Sequence, residues 1–112
     1  MRVLLTSVPG FGHLLPLVPI GRALAGAGHE VRIATSASFA GPVERCGFTA
    51  VEAGLDWLES EPEAVLPDAA PEGLDRAGRI SWIFRRLAPE PTARDLLTLA
   101  EDWRPDFVVR QR

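Results

Sequence analysis

The residue types that are rare or missing in this sequence exclude several classes of protein. Its 112 residues contain one cysteine, Cys46, which excludes an internal disulfide and a cysteine-based metal centre. Basic residues are outnumbered by acidic ones, 12 to 15, and the net charge is −3, so we expect no nucleic-acid partner. No apolar run approaches the roughly 20 residues that span a membrane. The first run, Val3 to Val8, is also too short for a signal peptide, and we expect a cytoplasmic protein.

The first half of the chain alternates predicted strands with predicted helices, in the order that parallel sheets require. Three runs of apolar and β-branched residues predict strands, and the first of them is expected to be buried on both faces. They are Arg2 to Val8, Glu30 to Thr35 and Phe48 to Glu52. Helices are predicted over Leu14 to Ala27 and Phe39 to Cys46, each followed by a glycine. With right-handed crossovers, this pattern predicts a Rossmann-like α/β fold, a parallel sheet with helices on both faces.

The second half predicts a long loop, two helices and a fourth strand. The loop, 54–75, has several prolines and acidic residues and no periodicity. A loop of this length is usually functional or disordered, and we expect it to cover the site, a plain surface excursion being the alternative. The helices are predicted over Arg76 to Leu87 and Thr92 to Trp103, and the strand over Asp106 to Arg110. The predicted sheet order is 3-2-1-4, and we expect another chain or domain to cover the fourth strand.

A glycine loop with a histidine, Gly10-Phe11-Gly12-His13, follows the first predicted strand. Ligands of open α/β sheets bind beyond the carboxyl ends of the strands, so this loop lies where a site is expected. Because histidine titrates near neutral pH, His13 is a candidate general base. The alternative for His13 is that it caps the sheet or the helix start. His29 precedes the second strand, at the opposite end of the sheet, and is interpreted as structural.

The glycine loop departs from both common nucleotide-binding motifs. The dinucleotide fingerprint needs a third glycine where this chain has Leu15, and an acidic residue after the second strand, where it has Ser36. A P-loop needs a Gly-Lys-Ser/Thr sequence, which does not follow here. A dinucleotide-binding domain therefore stays a less favoured alternative.

Three patterns in the first third of the chain together resemble the opening of a GT-B glycosyltransferase. They are Pro9-Gly10-Phe11-Gly12-His13-Leu14-Leu15-Pro16-Leu17, Gly21-Arg22-Ala23-Leu24 and Ala27-Gly28-His29-Glu30-Val31. The similarity is closest to bacterial enzymes that glycosylate macrolides, enediynes and other natural products, and it extends to about residue 110. It implies that residues 1–112 form part of an N-terminal acceptor-binding domain. It also implies a separate C-terminal domain that binds the nucleotide sugar, which we expect to lie outside these residues.

The resemblance implies that His13 is the base in an inverting transfer from a nucleoside-diphosphate sugar, with no metal and no cofactor. In the family, a carboxylate just past the fourth strand usually pairs with this base. Here Pro105-Asp106-Phe107-Val108-Val109-Arg110 fits the family pattern, but Gln111 occupies the carboxylate position. Gln111 is therefore the candidate orienting partner, whose amide can hold the imidazole but cannot stabilise an imidazolium.

The expected partner is a hydrophobic small-molecule acceptor. Aromatic side chains offer large apolar contact areas for such a ligand. The candidate acceptor-binding residues are Phe11, Gly12, Trp57, Trp82 and Phe84, and core packing is an equal alternative for Trp82 and Phe84. The chain by itself is expected to be inactive and to bind no sugar nucleotide. The alternative function is a non-catalytic auxiliary or split-enzyme partner, which the missing carboxylate favours.

Overall fold

The chain folds around a four-stranded parallel sheet in a computed structural model that describes residues 1–56, 58, 71–87 and 90–110. The strands are β1 (Arg2–Thr6), β2 (Glu30–Thr35), β3 (Thr49–Glu52) and β4 (Phe107–Arg110). Their order in the sheet is β3-β2-β1-β4, which confirms the predicted order. All three strand pairs are parallel, so the carboxyl ends of the strands lie together at one end of the sheet.

Helices pack on both faces of the sheet, as the sequence predicts. They are α1 (Phe11–Leu14), α2 (Leu17–Gly26), α3 (Ala40–Arg45), α4 (Arg76–Leu87) and α5 (Glu90–Trp103), with a 3₁₀ turn at Ala37–Phe39. Neighbouring residues of a strand point to opposite faces, and the two cores follow this alternation. Leu5 packs in a core with Leu17 and Val43 from α2 and α3, whereas Leu4 packs in a second core with Trp103 from α5.

The prediction of one helix from Leu14 to Ala27 is wrong, because two helices occupy this stretch. The first, α1, already begins at Phe11, directly after Gly10 in an extended conformation (φ −158°). The second begins after Pro16, whose ring and missing N–H are incompatible with a continuous helix interior. Pro19 lies in the first turn of α2, where backbone N–H groups have no intrahelical acceptor, so it is tolerated there.

Other element boundaries differ from the predicted ones by one or two residues. The strand β1 ends at Thr6 instead of Val8, because the Gly10 N–H donates to the Val8 carbonyl (2.8 Å) and turns the chain out of the sheet. The helix α5 begins at Glu90, two residues before the predicted start. The helix α4 has the predicted bounds. The early end of β1 leaves residues 7–10 free to form the loop that precedes α1.

Candidate functional site

His13 lies in α1, immediately beyond the carboxyl end of β1, where the sequence places it. The carbonyl of Gly10 accepts the backbone N–H groups of His13 (3.1 Å) and Leu14 (3.0 Å), which starts the short helix. Leu14 is fully buried in the core, so α1 is anchored to the sheet. The His13 side chain is half-buried. The fold therefore holds an imidazole at the end of the sheet where ligands of α/β proteins bind.

A groove of about 670 Å³ opens beside α1 at the same end of the sheet. Its lining residues come from the β1–α1 loop, the turn after β2, α3 and the segment after β3, and they are Pro9, Gly10, Phe11, Ser38, Phe39, Gly41, Pro42, Arg45 and Leu58. Pockets for small molecules commonly measure about 300–1,000 Å³ and are mostly apolar. We call this feature the acceptor groove, after the ligand that the sequence analysis predicts, and its size and lining suit a hydrophobic small molecule.

Two aromatic rings shape the acceptor groove. Phe11 is 53% exposed, which is unusual for a large apolar side chain, whereas Phe39 is 4% exposed. Their ring centroids are 5.3 Å apart at an interplanar angle of 75°, an edge-to-face arrangement that such rings favour. Phe39 thus fixes the position of Phe11, whose remaining surface is open to a ligand.

A polar clamp between Ser38 and Asp56 lies beside the acceptor groove, which Ser38 lines. The backbone N–H of Ser38 donates to Asp56 Oδ1 (2.7 Å), and the Ser38 hydroxyl donates to Asp56 Oδ2 (2.8 Å). These hydrogen bonds, first from the backbone and then from the side chain of Ser38, hold the pKa of Asp56 below its usual value. The clamp ties the segment after β3 to the turn after β2.

The structure brings only some of the predicted acceptor-binding residues to the groove. Phe11 lines it. Gly12 is exposed on α1, and a methyl group in place of its hydrogen would meet nothing within 4 Å, so no close packing requires a glycine there. Trp82 lies on α4 and lines a different cavity, of about 470 Å³, beside Pro71 and Leu74.

The remaining predicted site residues lie outside the described parts of the chain. Trp57 and Gln111 are not among the described residues, and of Phe84 only the backbone, in α4, is described. Their roles, and the role of Trp82 in acceptor binding, stay predictions. The sequence reasoning did not find Phe39 or the Ser38–Asp56 clamp. Ser38 follows the carboxyl end of β2, and this position is the feature of the sequence that could have identified it as a candidate site residue.

The second histidine lies at the amino end of the sheet. His29 Nδ1 is 3.0 Å from the terminal amino group of Met1, in the turn between α2 and β2. Within the described residues, no three His, Cys, Asp or Glu side chains cluster as metal ligands do. No described helix is both long enough and apolar enough to cross a membrane.

Comparison with known proteins reveals a consistent set of relatives. The L-demethylnoviosyl transferase of Streptomyces niveus is 38% identical over 99% of this chain. The crystal structure of the glycosyltransferase VinC in complex with dTDP matches 99% of the chain with a TM-score of 0.75 and 33% identity. SsfS6, a glycosyltransferase of Streptomyces sp. SF2575, matches 98% with a TM-score of 0.79 and 28% identity. This chain is homologous to natural-product glycosyltransferases of the GT-B fold.

The similarity confirms the resemblance that the glycine loop and its flanking motifs indicate. No protein-family model matches the chain. The chain spans only part of these glycosyltransferases, 29% of the Streptomyces niveus enzyme and 29% and 33% of the VinC and SsfS6 chains. The α/β fold with its parallel sheet is therefore shared with part of each relative, and about two thirds of each relative has no counterpart in these residues.

Proposed function

We propose that this chain is the acceptor-binding part of an inverting glycosyltransferase. The complete enzyme would transfer a sugar from a nucleoside-diphosphate sugar to a hydroxyl of a hydrophobic natural product. The observation that carries this proposal is that α1, the short helix that contains His13, also supplies Phe11 to the acceptor groove at one end of the sheet. The names of the homologous glycosyltransferases support the proposed reaction type. The structure of VinC in complex with dTDP supports a nucleoside-diphosphate sugar as the proposed donor.

In this mechanism His13 acts as general base. A neutral imidazole accepts the proton of the acceptor hydroxyl while the oxygen attacks the anomeric carbon of the sugar. The nucleoside diphosphate leaves from the opposite face, so a single displacement inverts the anomeric configuration. A base of this kind contributes about 10²- to 10⁴-fold to the rate. Gln111 would orient the imidazole, and the Phe11 ring would hold the apolar body of the acceptor near it.

The nucleotide sugar would be bound outside these 112 residues. The homologous enzymes are about three times as long as this chain, and we propose that the additional part supplies the groups that bind the diphosphate. The exposed apolar side chains of β4, Phe107, Val108 and Val109, offer a surface for that part or for another chain to cover. The chain alone would then bind an acceptor without transferring sugar to it.

The test is a transfer assay with the full-length protein. UDP- and dTDP-sugars are offered with a panel of polyketide and aromatic aglycones, and products are identified by mass spectrometry. NMR of the product is expected to show an anomeric configuration opposite to that of the donor. Retention of configuration contradicts the single displacement. If transfer appears only when another glycosyltransferase is added, the protein is an auxiliary partner, the function that the glutamine at position 111 favours.

A further inference from the structure

One charged side chain lines the acceptor groove. Among the described lining residues, Arg45 alone is ionisable, and the others are apolar residues, glycines and the hydroxyl-bearing Ser38. Arg45 lies in the last turn of α3, and its side chain is exposed. A neutral apolar ligand gains little from a guanidinium at the wall of its pocket. The position of this group therefore bears on which acceptors the groove prefers.

The guanidinium of Arg45, and not only its aliphatic stem, lies at the groove wall. Side chains of a helix point back towards its amino end, and Arg45 follows this rule. Its Nη1 atom lies 3.4 Å from the position that a methyl group on Gly41 would occupy. Gly41 itself lines the groove. The missing side chain of Gly41 thus leaves room for the charged group against the wall.

The charge of Arg45 is not neutralised by the described part of the chain. No carboxylate there lies within ion-pair distance of the Arg45 guanidinium. The acid of the clamp, Asp56, already accepts hydrogen bonds from Ser38 with both of its carboxylate oxygens. Carbonyl groups at the carboxyl end of a helix attract cations, but this guanidinium lies beside Gly41, in the first turn of α3. Its donors are therefore available to a ligand.

The same groove offers an aromatic surface. The exposed ring of Phe11, which packs edge-to-face on Phe39, presents a flat apolar area to a ligand. The planar fork of an arginine matches a carboxylate, to which it can donate two parallel hydrogen bonds. A ligand that uses both features carries a flat ring for Phe11 and a carboxylate for Arg45.

We infer that Arg45 is a specificity-determining residue, through which the groove prefers aromatic acceptors with a carboxylate substituent over their neutral analogues. The inference rests on the proposed function for the identity of the ligand as an acceptor. The carboxylate is bound and does not react, since the hydroxyl that receives the sugar is a separate group of the same molecule. Because Arg45 is exposed, water and salt screen the ion pair, and the preference is modest.

The test is a calorimetric titration of the full-length protein with 2-naphthoate and with 2-naphthamide, which share a ring system and differ in charge. 2-Naphthoate is expected to bind about fivefold more tightly, the upper range for an exposed ion pair, and high salt should reduce this preference. Arg45→Gln should remove the preference and leave both 2-naphthamide binding and the melting temperature unchanged. Arg45→Lys, which keeps the charge and loses the planar fork, should retain part of the preference.

The matched control is Arg22→Gln, which removes the same charge from an exposed position on α2 that does not line the groove and should keep the preference. Equal binding of the two probes, binding of neither, or an undiminished preference in Arg45→Gln overturns the inference. Failure of the proposed function gives a different result. The preference for 2-naphthoate would then depend on Arg45 as expected, but the full-length protein would transfer sugar to no acceptor.

Discussion

The two ends of the parallel sheet differ in the side chains that they expose. At the amino end charged and polar groups contact one another. The Arg2 N–H donates to Asp106 Oδ2 (2.8 Å), the Arg2 guanidinium donates to the carbonyl of Trp103 and lies 3.7 Å from Glu30, and His29 contacts the terminal amino group. A cavity of about 430 Å³ lies at this end too, but four of its lining residues, Arg2, Glu30, Arg104 and Asp106, are charged.

At the carboxyl end the same sheet leaves an aromatic surface open, because Phe11 exposes half of its surface beside the acceptor groove. This difference leads us to expect that one scaffold separates stability from binding. We therefore expect substitutions at the amino end to lower stability without affecting binding, and substitutions of the open groups at the carboxyl end to do the reverse.

The largest expected effect separates the two histidines. In the full-length protein, His13→Ala should lower the turnover number about 100-fold or more, the usual effect of losing a general base. His29→Ala, at the amino end, should leave turnover within about twofold, because a change far from the reacting groups removes no base. Sugar transfer at saturating acceptor measures both. Equal losses in the two variants contradict the assignment of the base.

The next effect compares two glycines with left-handed backbones, Gly28 at the amino end (φ +91°) and Gly54 at the carboxyl end (φ +77°). Alanine should cost about 1–2 kcal/mol of unfolding free energy at either position through backbone strain. At Gly54 the added methyl group would also collide with the Thr92 hydroxyl of α5, which should add about 1–3 kcal/mol, the usual cost of overpacking, whereas Gly28 has open space around it. Urea unfolding measures both, and equal losses mean that the loop and α5 are not in tight contact.

A smaller effect is expected from Asp106 at the amino end. Asp106→Ala removes the acceptor of the Arg2 N–H and should lower the unfolding free energy by about 1 kcal/mol, the typical net value of a hydrogen bond. Acceptor binding should not change. Asp102→Ala, an exposed acid on α5, is the control for loss of charge. If Asp106→Ala lowers acceptor affinity and Asp102→Ala does not, the amino end contributes to binding and the expected separation of stability from binding is wrong.

The smallest effect is a pH dependence at the carboxyl end. Because hydrogen bonds from Ser38 lower the pKa of Asp56 in the folded state, the clamp stabilises the protein above the ordinary aspartate pKa of about 3.9. That contribution is lost as the pH falls through the lower folded pKa. Melting temperatures from pH 6 to pH 2 should therefore fall less steeply for Asp56→Asn than for the wild type. Parallel curves show that the clamp does not contribute.

The fold was largely predictable because its signals are local. Buried strands of apolar residues, glycine stops and the periodicity of α4 are encoded in short stretches of sequence, and together they predict the strands and helices of a parallel α/β fold. The sequence did not predict the break before α2, because Pro16 and Pro19 are compatible with a single helix that begins at Leu14 and also with two separate helices. Tertiary packing decided it, since the burial of Leu14 and Leu17 anchors both α1 and α2.

The site was predictable only in part. His13 and Phe11 follow a recognisable strand–loop–helix pattern, so their position at the carboxyl end could be inferred. Phe39 and Asp56 come from distant segments that meet only in the folded chain.

The central claim is that the acceptor binds at the carboxyl end of the sheet, and chemical-shift mapping tests it most directly. The ¹⁵N-labelled chain is titrated with 2-naphthol, an apolar aromatic probe that carries one hydroxyl. The account predicts saturable shifts of the amide signals of Gly10, Phe11, Ser38 and Phe39, with those of Arg2 and Glu30 unmoved. Shifts concentrated around Arg2 and Glu30, or no shifts up to the solubility limit of the probe, would contradict it.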